Sequence, residues 1–469
     1  MYNQFEMTIG LETHIQLKTK NKLFCECKNE FTLEPDIHCC PVCRGDIKDD
    51  LKINMEAVEK AITAGIVTNC HINKISSWDR KNYSYPDLPK GYQITQYDIP
   101  LCENGYIDIG TKKIRIERIH MEEDAGKLIY NKDGEVICDH NRCGVPLIEI
   151  VTKPDIKSAC EASEYLKKLR LNMLYLNVSD CKMEEGSLRC DVNISVKRKE
   201  DINSGVKCEI KNLNSFSFVE KAIDYEFKRQ VDLILKGEKI IQETRKFDSG
   251  KGITVSMRTK ENSSDYGYET ETFLDKLFVS SDLIENIKKT IPVLPEKRMK
   301  KYVDEYGLSE SDAKLIVSMK NISDFFEDCI DNVNCRLTLS NIIVNEVLKL
   351  SKNGEIKVSK NQLTELSNLL SDNLISNQSS KKILEKIWDT QFLPKDLCDK
   401  MDLWQISSEE ILYPIVKDTI ECNVKIIEDY KKGKTNAIKT IIGIVMKKTS
   451  GKANGNVVNK IISDILNTL

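Results

Sequence analysis

Polar and apolar residues alternate along several segments of the first 290 residues, which is the pattern of β-strands with one buried face. In the segment 10–17, GLETHIQL, the alternation places Glu12 and His14 on the same side of a strand. The segments 189–196 and 207–211 divide in the same way, with charged side chains on one face and apolar side chains on the other. Antiparallel strands with one polar face commonly show this division. The sequence therefore predicts a sheet with a polar face and a buried face.

The periodicity changes after the segment 291–295, IPVLP, which interrupts the strand pattern. The residues beyond it have apolar positions at helical spacing and almost no alternation. A helix start is predicted at 309–312, and amphipathic helices are predicted at 337–351, 361–371 and 379–388. Before the interruption, helices are predicted at 156–177 and 216–236. Two more are predicted in the tail from the apolar stripes Ile438, Ile441, Ile442, Val445 and Val458, Ile461, Ile462, Ile465. The pattern indicates an α+β protein with a strand-rich domain at 1–292, an all-α domain at 293–399 and a helical tail at 400–469.

Four acidic residues are candidates for chemistry. Glu122, Glu123 and Asp124 are consecutive, and Glu149 lies inside the apolar run 146–151. An ionised carboxylate among apolar neighbours is costly unless a cation or hydrogen bonds compensate it. Clustered oxygen ligands suit Mg2+, which binds a few carboxylates and takes nucleotide phosphates as further ligands. A phosphoryl-transfer site is the first hypothesis, and a solvated turn with a paired structural carboxylate is the alternative.

The polar faces of the predicted strands carry more acids, bases and amides than solubility requires. They present Arg189, Asp191 and Asn193 on one strand, and Glu209 and Lys211 on the next. Each strand taken alone is typical of an ordinary solvated surface. Several of them within one domain indicate a catalytic wall.

The 17 cysteines fall into two groups. Most are scattered through a chain that shows no signal peptide and no apolar stretch of 18 residues, which predicts reduced thiols in a cytoplasmic protein without a membrane span. Four have a spacing close to that of zinc ligands: Cys25, Cys27, Cys40 and Cys43. Cys39 and His38 are adjacent competitors. A structural zinc knuckle over 25–43 is predicted, with unbound thiols as the alternative.

Charge is distributed unevenly along the chain. The net charge is −3, but residues 430–469 contain eight lysines and a single acid, Asp464. A basic module on an acidic body is typical of an RNA-binding region, because neutralising phosphates drives such binding. The turn 451–455, GKANG, is expected to leave its backbone and lysine free to meet phosphate. The candidate RNA-binding lysines are Lys431, Lys432, Lys434, Lys447, Lys448 and Lys452.

Long blocks of this sequence resemble the GatB family, the B subunits of tRNA-dependent amidotransferases. The blocks are GLETHIQL, SWDRKNYSYPDLPKGYQITQYDIPL, HMEEDAGKL, NRCGVPLIEIVTKPD, MEEGSLRCDVNISV and EIKNLNSFSFVEKAIDYE, together with the tail YKKGKTNAIKTIIGIVMKKTSGKANGNVVNKIISDIL, which is similar to the YqeY-like end of the family. Nearly the whole chain takes part in the resemblance.

The resemblance implies a reaction. Members of the family use ATP to phosphorylate the side-chain carboxylate of glutamate on the glutamine tRNA, or of aspartate on the asparagine tRNA. Ammonia from an amidase A subunit then displaces the phosphate, and a small C subunit completes the complex. The catalytic domain is expected to be similar to glutamine synthetase and the guanido kinases, with a curved antiparallel sheet. The chain itself lacks the glycine- and serine-rich stretch with a catalytic lysine that marks the amidase.

Residue by residue, the family's motifs assign two groups of site residues. The residues matching the Mg2+-binding and catalytic positions are Glu12, His14, Glu122, Glu123 and Glu149. The residues assigned to the nucleotide or acyl-phosphate site are Arg189, Asp191, Glu209 and Lys211. Phosphoryl transfer depends on positioning and charge neutralisation more than on covalent chemistry, which agrees with a set of metal ligands and cations.

The sequence departs from the family in the segment 265–275, DYGYETETFLD, where Gly267 replaces an arginine and two prolines are absent. Glycine cannot substitute for the planar, bidentate guanidinium group. Two alternatives therefore stay open: a diverged enzyme that amidates another carboxylate, and a non-catalytic tRNA-binding scaffold. The second is disfavoured because a scaffold needs no metal ligands.

Overall fold

The protein is described by a computed structural model that covers residues 2–49, 51–130, 134–259, 267–431 and 437–468. The chain divides into two compact units, Met1–Leu294 and Pro295–Leu469. The first unit is built on a large sheet and the second is helical, so the molecule is a mixed α/β protein. The predicted glutamine synthetase-like character of the sheet stays a prediction.

Sixteen strands are present among the described residues, and all lie in the first unit. They are β1 (Phe5–Gln16), β2 (His71–Ile72), β3 (Ile75–Ser76), β4 (Asp79–Asn82), β5 (Tyr92–Thr95), β6 (Cys102–Asp108), β7 (Lys113–Glu123), β8 (Lys127–Tyr130), β9 (Val136–Asp139), β10 (Pro146–Thr152), β11 (Leu188–Arg198), β12 (Cys208–Lys211), β13 (Glu243–Asp248), β14 (Ile253–Thr259), β15 (Gly267–Thr270) and β16 (Leu277–Phe278).

Nine of these strands form one sheet, in the order β14-β13-β12-β11-β1-β10-β7-β6-β2. Its pairs are antiparallel except β12 with β13, which run parallel. That exception has a topological cause, because the helix Phe216–Lys236 connects the two strands as a crossover. A smaller sheet, β15-β4-β5, brings residues 267–270 beside residues 79–82.

The helices of the first unit are α1 (Met55–Val67), α2 (Ala159–Tyr175), α3 (Phe216–Lys236) and α4 (Ser281–Thr290). The first three contact strands of the large sheet, and apolar side chains such as Ile9, Leu11 and Ile194 form the core beneath them. Helix α1 was not predicted. It is amphipathic, with polar residues at 56, 59, 60 and 63 on one side and buried residues at 57, 58, 61 and 62 on the other. The buried side packs so closely that a Cβ on Gly65 would lie 2.5 Å from Sγ of Cys102.

Helices α2 and α3 confirm the predictions at 156–177 and 216–236 within a few residues. Each begins at a serine, Ser158 and Ser215, whose side chain accepts a hydrogen bond from a backbone N–H of the first turn. Helix α3 ends at Gly237, whose φ of 74° is the left-handed conformation that glycine adopts without strain. Local sequence signals therefore fix these two helices.

The helices of the second unit follow one another with short connections. They are α5 (Pro295–Asp304), α6 (Glu310–Val317), α7 (Lys320–Ile330), α8 (Arg336–Ile342), α9 (Leu348–Leu350), α10 (Lys360–Ser371), α11 (Asn377–Ile387), α12 (Pro394–Met401), α13 (Glu409–Glu421), α14 (Val424–Lys431), α15 (Ala437–Lys448) and α16 (Gly455–Thr468). One π-turn, Ile343–Val347, joins α8 to α9, and 3-10 turns occur at Tyr2–Gln4 and Lys352–Gly354.

The second unit contains two separate apolar cores. One gathers residues between Tyr302 and Cys398, and the other gathers residues between Leu412 and Ile465. The tail stripes predicted from Ile441 and Ile462 face the second of these cores. The predicted division of the chain at residues 292 and 399 stays a prediction. Within the part of the chain that the structure describes, no helix has both the length and the apolar character needed to span a membrane.

Candidate active site

The register of the large sheet brings the polar residues of five strands to one face. His14 on β1 lies opposite Glu149 on β10 and opposite Arg189 on β11. Two residues away from His14 on β1, Glu12 lies opposite Asp191 of β11. Because side chains alternate between the two faces of a strand, these residues share the face opposite the helices. The same register extends to β7 and β12, and the polar face predicted from the alternation is confirmed.

The first acidic group consists of His14, Glu122 and Glu149. Their ligand atoms all lie within 4.8 Å of one another. Nε2 of His14 is 3.4 Å from Oε2 of Glu149 and 3.7 Å from Oε1 of Glu122. Burial alone would raise the pKa of Glu149, but His14 and His120 outweigh it and hold that pKa well below its ordinary value. Glu149 is therefore ionised in its apolar strand, as a cation ligand has to be.

The second acidic group consists of Glu12, Asp191 and Glu209, whose ligand atoms also lie within 4.8 Å of one another. Nδ2 of Asn193 donates to Oε1 of Glu12 over 2.7 Å, and Nζ of Lys211 lies 2.5 Å from Oδ2 of Asp191 and 2.9 Å from Oε1 of Glu209. Burial and the charge of Glu149 raise the pKa of Glu12. The hydrogen bond from Asn193 lowers the pKa of Glu12 but does not outweigh burial and the neighbouring carboxylates.

Both groups fit a divalent cation by the chemistry of their donors. Carboxylate oxygens are hard ligands that suit Mg2+, and imidazole adds one nitrogen. In each group three ligand atoms from different strands converge within 4.8 Å, as a bound cation requires. The sequence assigned Asp191 and Glu209 to the nucleotide site, whereas the structure brings them together with Glu12 as a second candidate cation site.

Glu123 corrects the sequence-based assignment, because it lies on the other side of β7 from Glu122. Its carboxylate pairs with Nζ of Lys90 and accepts the backbone N–H of Ile94 over 2.9 Å. Neighbouring residues of a strand point to opposite faces, so two consecutive glutamates cannot both join the first acidic group. Glu123 is a buried, paired carboxylate and is removed from the candidate metal ligands.

Arg189, predicted to contact a phosphate, pairs in this structure with a carboxylate of the protein. Its Nη2 donates to Oδ2 of Asp124 over 2.6 Å, and the same oxygen accepts Nε2 of Gln16 over 2.8 Å. These contacts tie the ends of β1, β7 and β11 together. The predicted role of Arg189 at a nucleotide or acyl phosphate stays a prediction.

Sequence reasoning missed His120, although it belongs to the motif that drew attention to Glu122. It lies on β7 opposite Glu149, and its Nε2 is 3.2 Å from Oε2 of that residue. The signal was present, because residues two apart on a strand share a face. His120 also belongs to a cavity of about 320 Å3, lined by Glu12, His14, Lys81, Thr95, Tyr97, Arg118, His120, Glu149, Val151, Asp191, Asn193, Lys207, Glu209, Lys211 and Tyr268.

The small sheet supplies one wall of that cavity. Tyr268 of β15 stacks on Tyr97, with ring centroids 3.8 Å apart and planes at 17°. Arg80 of β4 holds the following segment through two hydrogen bonds to Glu271, of 2.7 and 3.0 Å. Gly267, at the position of the missing arginine, is exposed in β15. Of the divergent segment, Asp265 and Tyr266 lie outside the described residues.

The four predicted zinc ligands come together in space. The Sγ atoms of Cys25, Cys27, Cys40 and Cys43 lie within 4.8 Å of one another. Cys39 lies apart, with its thiol 3.1 Å from the backbone oxygen of Asp36. A hydrogen bond from Cys25 lowers the pKa of Cys43 to about 4, and Nζ of the buried Lys22 lies 3.6 Å from the same sulfur. Four thiolates around Zn2+ carry net negative charge, which a buried ammonium group offsets.

Two of the candidate RNA-binding lysines form ion pairs with acids of the chain itself. Nζ of Lys448 lies 2.6 Å from Asp418, and Lys452 forms an ion pair with Asp402. The 451–455 turn is also anchored, since the backbone oxygen of Lys452 accepts the N–H of Ile406 over 2.7 Å. Lys447 is exposed. Lys432 and Lys434 lie outside the described residues, as does the side chain of Lys431.

Comparison with known proteins gives the class. Residues 7–285 match the family described as GatB/GatE catalytic domain, and residues 324–466 match the family described as GatB domain. The chain therefore belongs to the GatB family. It is 46% identical over 477 residues to the B subunit of the aspartyl/glutamyl-tRNA(Asn/Gln) amidotransferase of Caldicellulosiruptor saccharolyticus, with 99% of both chains covered. It is 45% identical over 471 residues to the protein of the same name from Clostridium kluyveri, with 98% of this chain and 99% of the relative covered.

Proposed function

We propose that this chain is the B subunit of a cytoplasmic tRNA-dependent amidotransferase. It phosphorylates the side-chain carboxylate of Glu-tRNA(Gln), of Asp-tRNA(Asn) or of both with ATP, and ammonia then replaces the phosphate to give the amide. The observation that carries the proposal is the presence of two acidic groups side by side on one sheet face, in a chain of the GatB family. Paired cation sites of this kind serve reactions in which phosphate charge must be neutralised.

His14, Glu122 and Glu149 would hold one Mg2+, and Glu12, Asp191 and Glu209 would hold a second. When bound, Mg2+ would neutralise the charge of the ATP phosphates and so favour transfer of the γ-phosphoryl group to a carboxylate.

The neighbouring side chains have distinct tasks in this proposal. Lys211 lies between Asp191 and Glu209 in the structure, where both carboxylates raise its pKa, so it carries a full positive charge beside the site. We assign it to the oxygens of the acyl phosphate. Asn193 holds the Glu12 carboxylate in place. The stacked pair Tyr97 and Tyr268 forms part of the cavity lining, where a nucleotide base or the substrate could contact it.

The partners follow from the same proposal. An amidase A subunit supplies ammonia from glutamine, a small C subunit joins the complex, and the tail contacts tRNA with Lys447 and the neighbouring lysines. A structural zinc ion on Cys25, Cys27, Cys40 and Cys43 would hold the 25–43 loop. The scaffold alternative is disfavoured by the two acidic groups, since burying this many carboxylates without a function is costly.

An amidation assay tests the proposal. The complex containing this chain is incubated with glutamine, ATP and either Glu-tRNA(Gln) or Asp-tRNA(Asn), and the amino acid on the tRNA is identified. At least one of the two is expected to be amidated, and only with ATP present. The lack of amidation of both tRNAs by an intact complex would favour the diverged enzyme with a different carboxylate substrate.

A further inference from the structure

His120 is a buried histidine that none of the assignments above uses. Its side chain lies beside the first acidic group, with Nε2 3.2 Å from Oε2 of Glu149 and 3.8 Å from Oε2 of Glu122. A histidine in this position has two possible roles. It is either a ligand that presents a lone pair to the cation, or a donor that directs an N–H at a ligand.

The other ring nitrogen distinguishes the two roles. Nε of Arg118 donates a hydrogen bond to Nδ1 of His120 over 3.3 Å. A guanidinium group has only donors and does not lose its proton in proteins. Nδ1 therefore has to be the acceptor, which leaves the proton of a neutral imidazole on Nε2.

Arg118 is itself fixed, so this constraint is built into the fold. Its Nη1 donates to the backbone oxygen of Tyr97 over 3.0 Å, and its Nη2 donates to the backbone oxygen of Gln96. Its guanidinium carbon lies 5.9 Å from the centroid of the Tyr97 ring. The two hydrogen bonds and the ring contact together keep Nε of Arg118 directed at the imidazole.

We propose that His120 is a positioning residue of the metal site and not a ligand. Arg118 sets its tautomer, and the Nε2–H of His120 holds Oε2 of Glu149 so that this carboxylate is oriented toward the cation. The metal half of this inference rests on the proposed function, whereas the tautomer does not. His14 differs, because no hydrogen bond to its Nδ1 occurs among the described residues, so no such donor fixes a proton on its Nε2.

Substitutions of His120 separate a donor from a ligand. In His120→Gln the amide nitrogen takes roughly the place of Nε2 and still donates to Glu149, whereas His120→Ala removes the donor. Titration of the full-length chain with Mn2+, followed by electron paramagnetic resonance, should show affinity weakened about 10- to 100-fold in His120→Ala. His120→Gln should stay within about threefold of wild type. Thermal unfolding of both variants reports whether they are folded.

Equal losses in the two folded variants would identify His120 as a ligand and overturn the proposal, as would unchanged affinity in His120→Ala. If neither variant folds, the tautomer of His120 in the wild-type chain tests the proposal instead.

Nitrogen-15 labelling of histidine reads the tautomer directly, and with five histidines in the chain the spectrum is assignable. His120 should show a protonated Nε2 and an unprotonated Nδ1, and Arg118→Met should remove this preference. A protonated Nδ1 in the wild-type chain would overturn the proposal. Absence of Mn2+ binding by the wild-type chain, with the expected tautomer present, would instead overturn the proposed metal site.

Discussion

At the scale of single residues, the central feature is an ionised carboxylate in an apolar strand. Ile148 and Ile150 point into the core with no exposure, while Glu149 between them faces His14 and His120. Because neighbouring side chains of a strand point to opposite faces, the charge of Glu149 lies on the polar face while both isoleucines lie in the core. The two imidazoles keep the carboxylate ionised, so its charge is available to a cation.

Replacing Glu149 with glutamine should remove this charge with little change in shape. Glu149→Gln is expected to lower ATP-dependent amidation by about 100-fold or more, because a metal ligand is lost, while tRNA affinity stays nearly unchanged. Glu117→Gln is the matched control, since Glu117 is an exposed glutamate of the same sheet outside both acidic groups. Initial rates and tRNA binding are measured for both variants. Near-normal turnover in Glu149→Gln would exclude the metal assignment.

The sequence predicts individual site residues only as far as local pattern reaches. Glu12, His14 and Asp191 were predicted on one polar face because alternation is a local property. Glu123 was assigned with Glu122 from the family's motif, although alternation along a strand directs neighbouring side chains to opposite faces. His120 shares a face of β7 with Arg118 and Glu122, so alternation alone indicates it, whereas its contact with Glu149 depends on the register between strands.

At the scale of elements, register and connection decide which residues meet. Nothing within β1 or β11 alone states that Glu12 lies opposite Asp191. The parallel pairing of β12 with β13 likewise depends on the crossover through α3. Helices α2 and α3 were predicted to within a few residues, whereas α1 was missed although it has an N-cap at Asn54 and one buried face.

The 25–43 loop is expected to depend on a bound zinc ion for its stability. It has little regular structure, so a bound ion would supply much of its stability, and the purified chain should carry about one zinc per molecule. Cys40→Ser should release the ion and lower the unfolding temperature. Cys39→Ser, the adjacent control, should do neither, because that thiol contacts the backbone of Asp36. Elemental analysis of protein prepared without oxygen checks both variants, and a metal-free wild-type chain would refute the site.

At the scale of the whole molecule, the tail is less basic than its last 40 residues indicate. Its core also includes α13, and residues 400–469 together contain eleven lysines and eight acids, a net charge of +3. Several of these lysines are neutralised by partners within the chain, among them Lys448 and Lys460. Binding of tRNA by the tail therefore depends on a few exposed lysines and not on the total charge.

Lys447 is the described tail lysine that best tests this. Lys447→Gln should raise the KM for aminoacyl-tRNA a few fold, leave kcat unchanged and lower the salt dependence of binding by about one phosphate contact. Lys460→Gln is the control, because that lysine pairs with Glu409 over 2.7 Å. Deletion of the four tail helices should give the same change on a larger scale. Full affinity and an unchanged salt slope after the deletion would assign the tail to docking or structure.

In the proposed function this chain activates a carboxylate by phosphorylation. The most direct measurement uses aminoacyl-tRNA whose side-chain carboxylate is labelled with oxygen-18, incubated with ATP, ammonia and the complex containing this chain. In the proposed reaction the carboxylate oxygen attacks the γ-phosphorus and ADP leaves; ammonia then breaks the carbon–oxygen bond, so that oxygen departs with the phosphate. Mass spectrometry should find one oxygen-18 atom in each inorganic phosphate formed with the amide. Amide formation accompanied by unlabelled phosphate would exclude activation by phosphorylation.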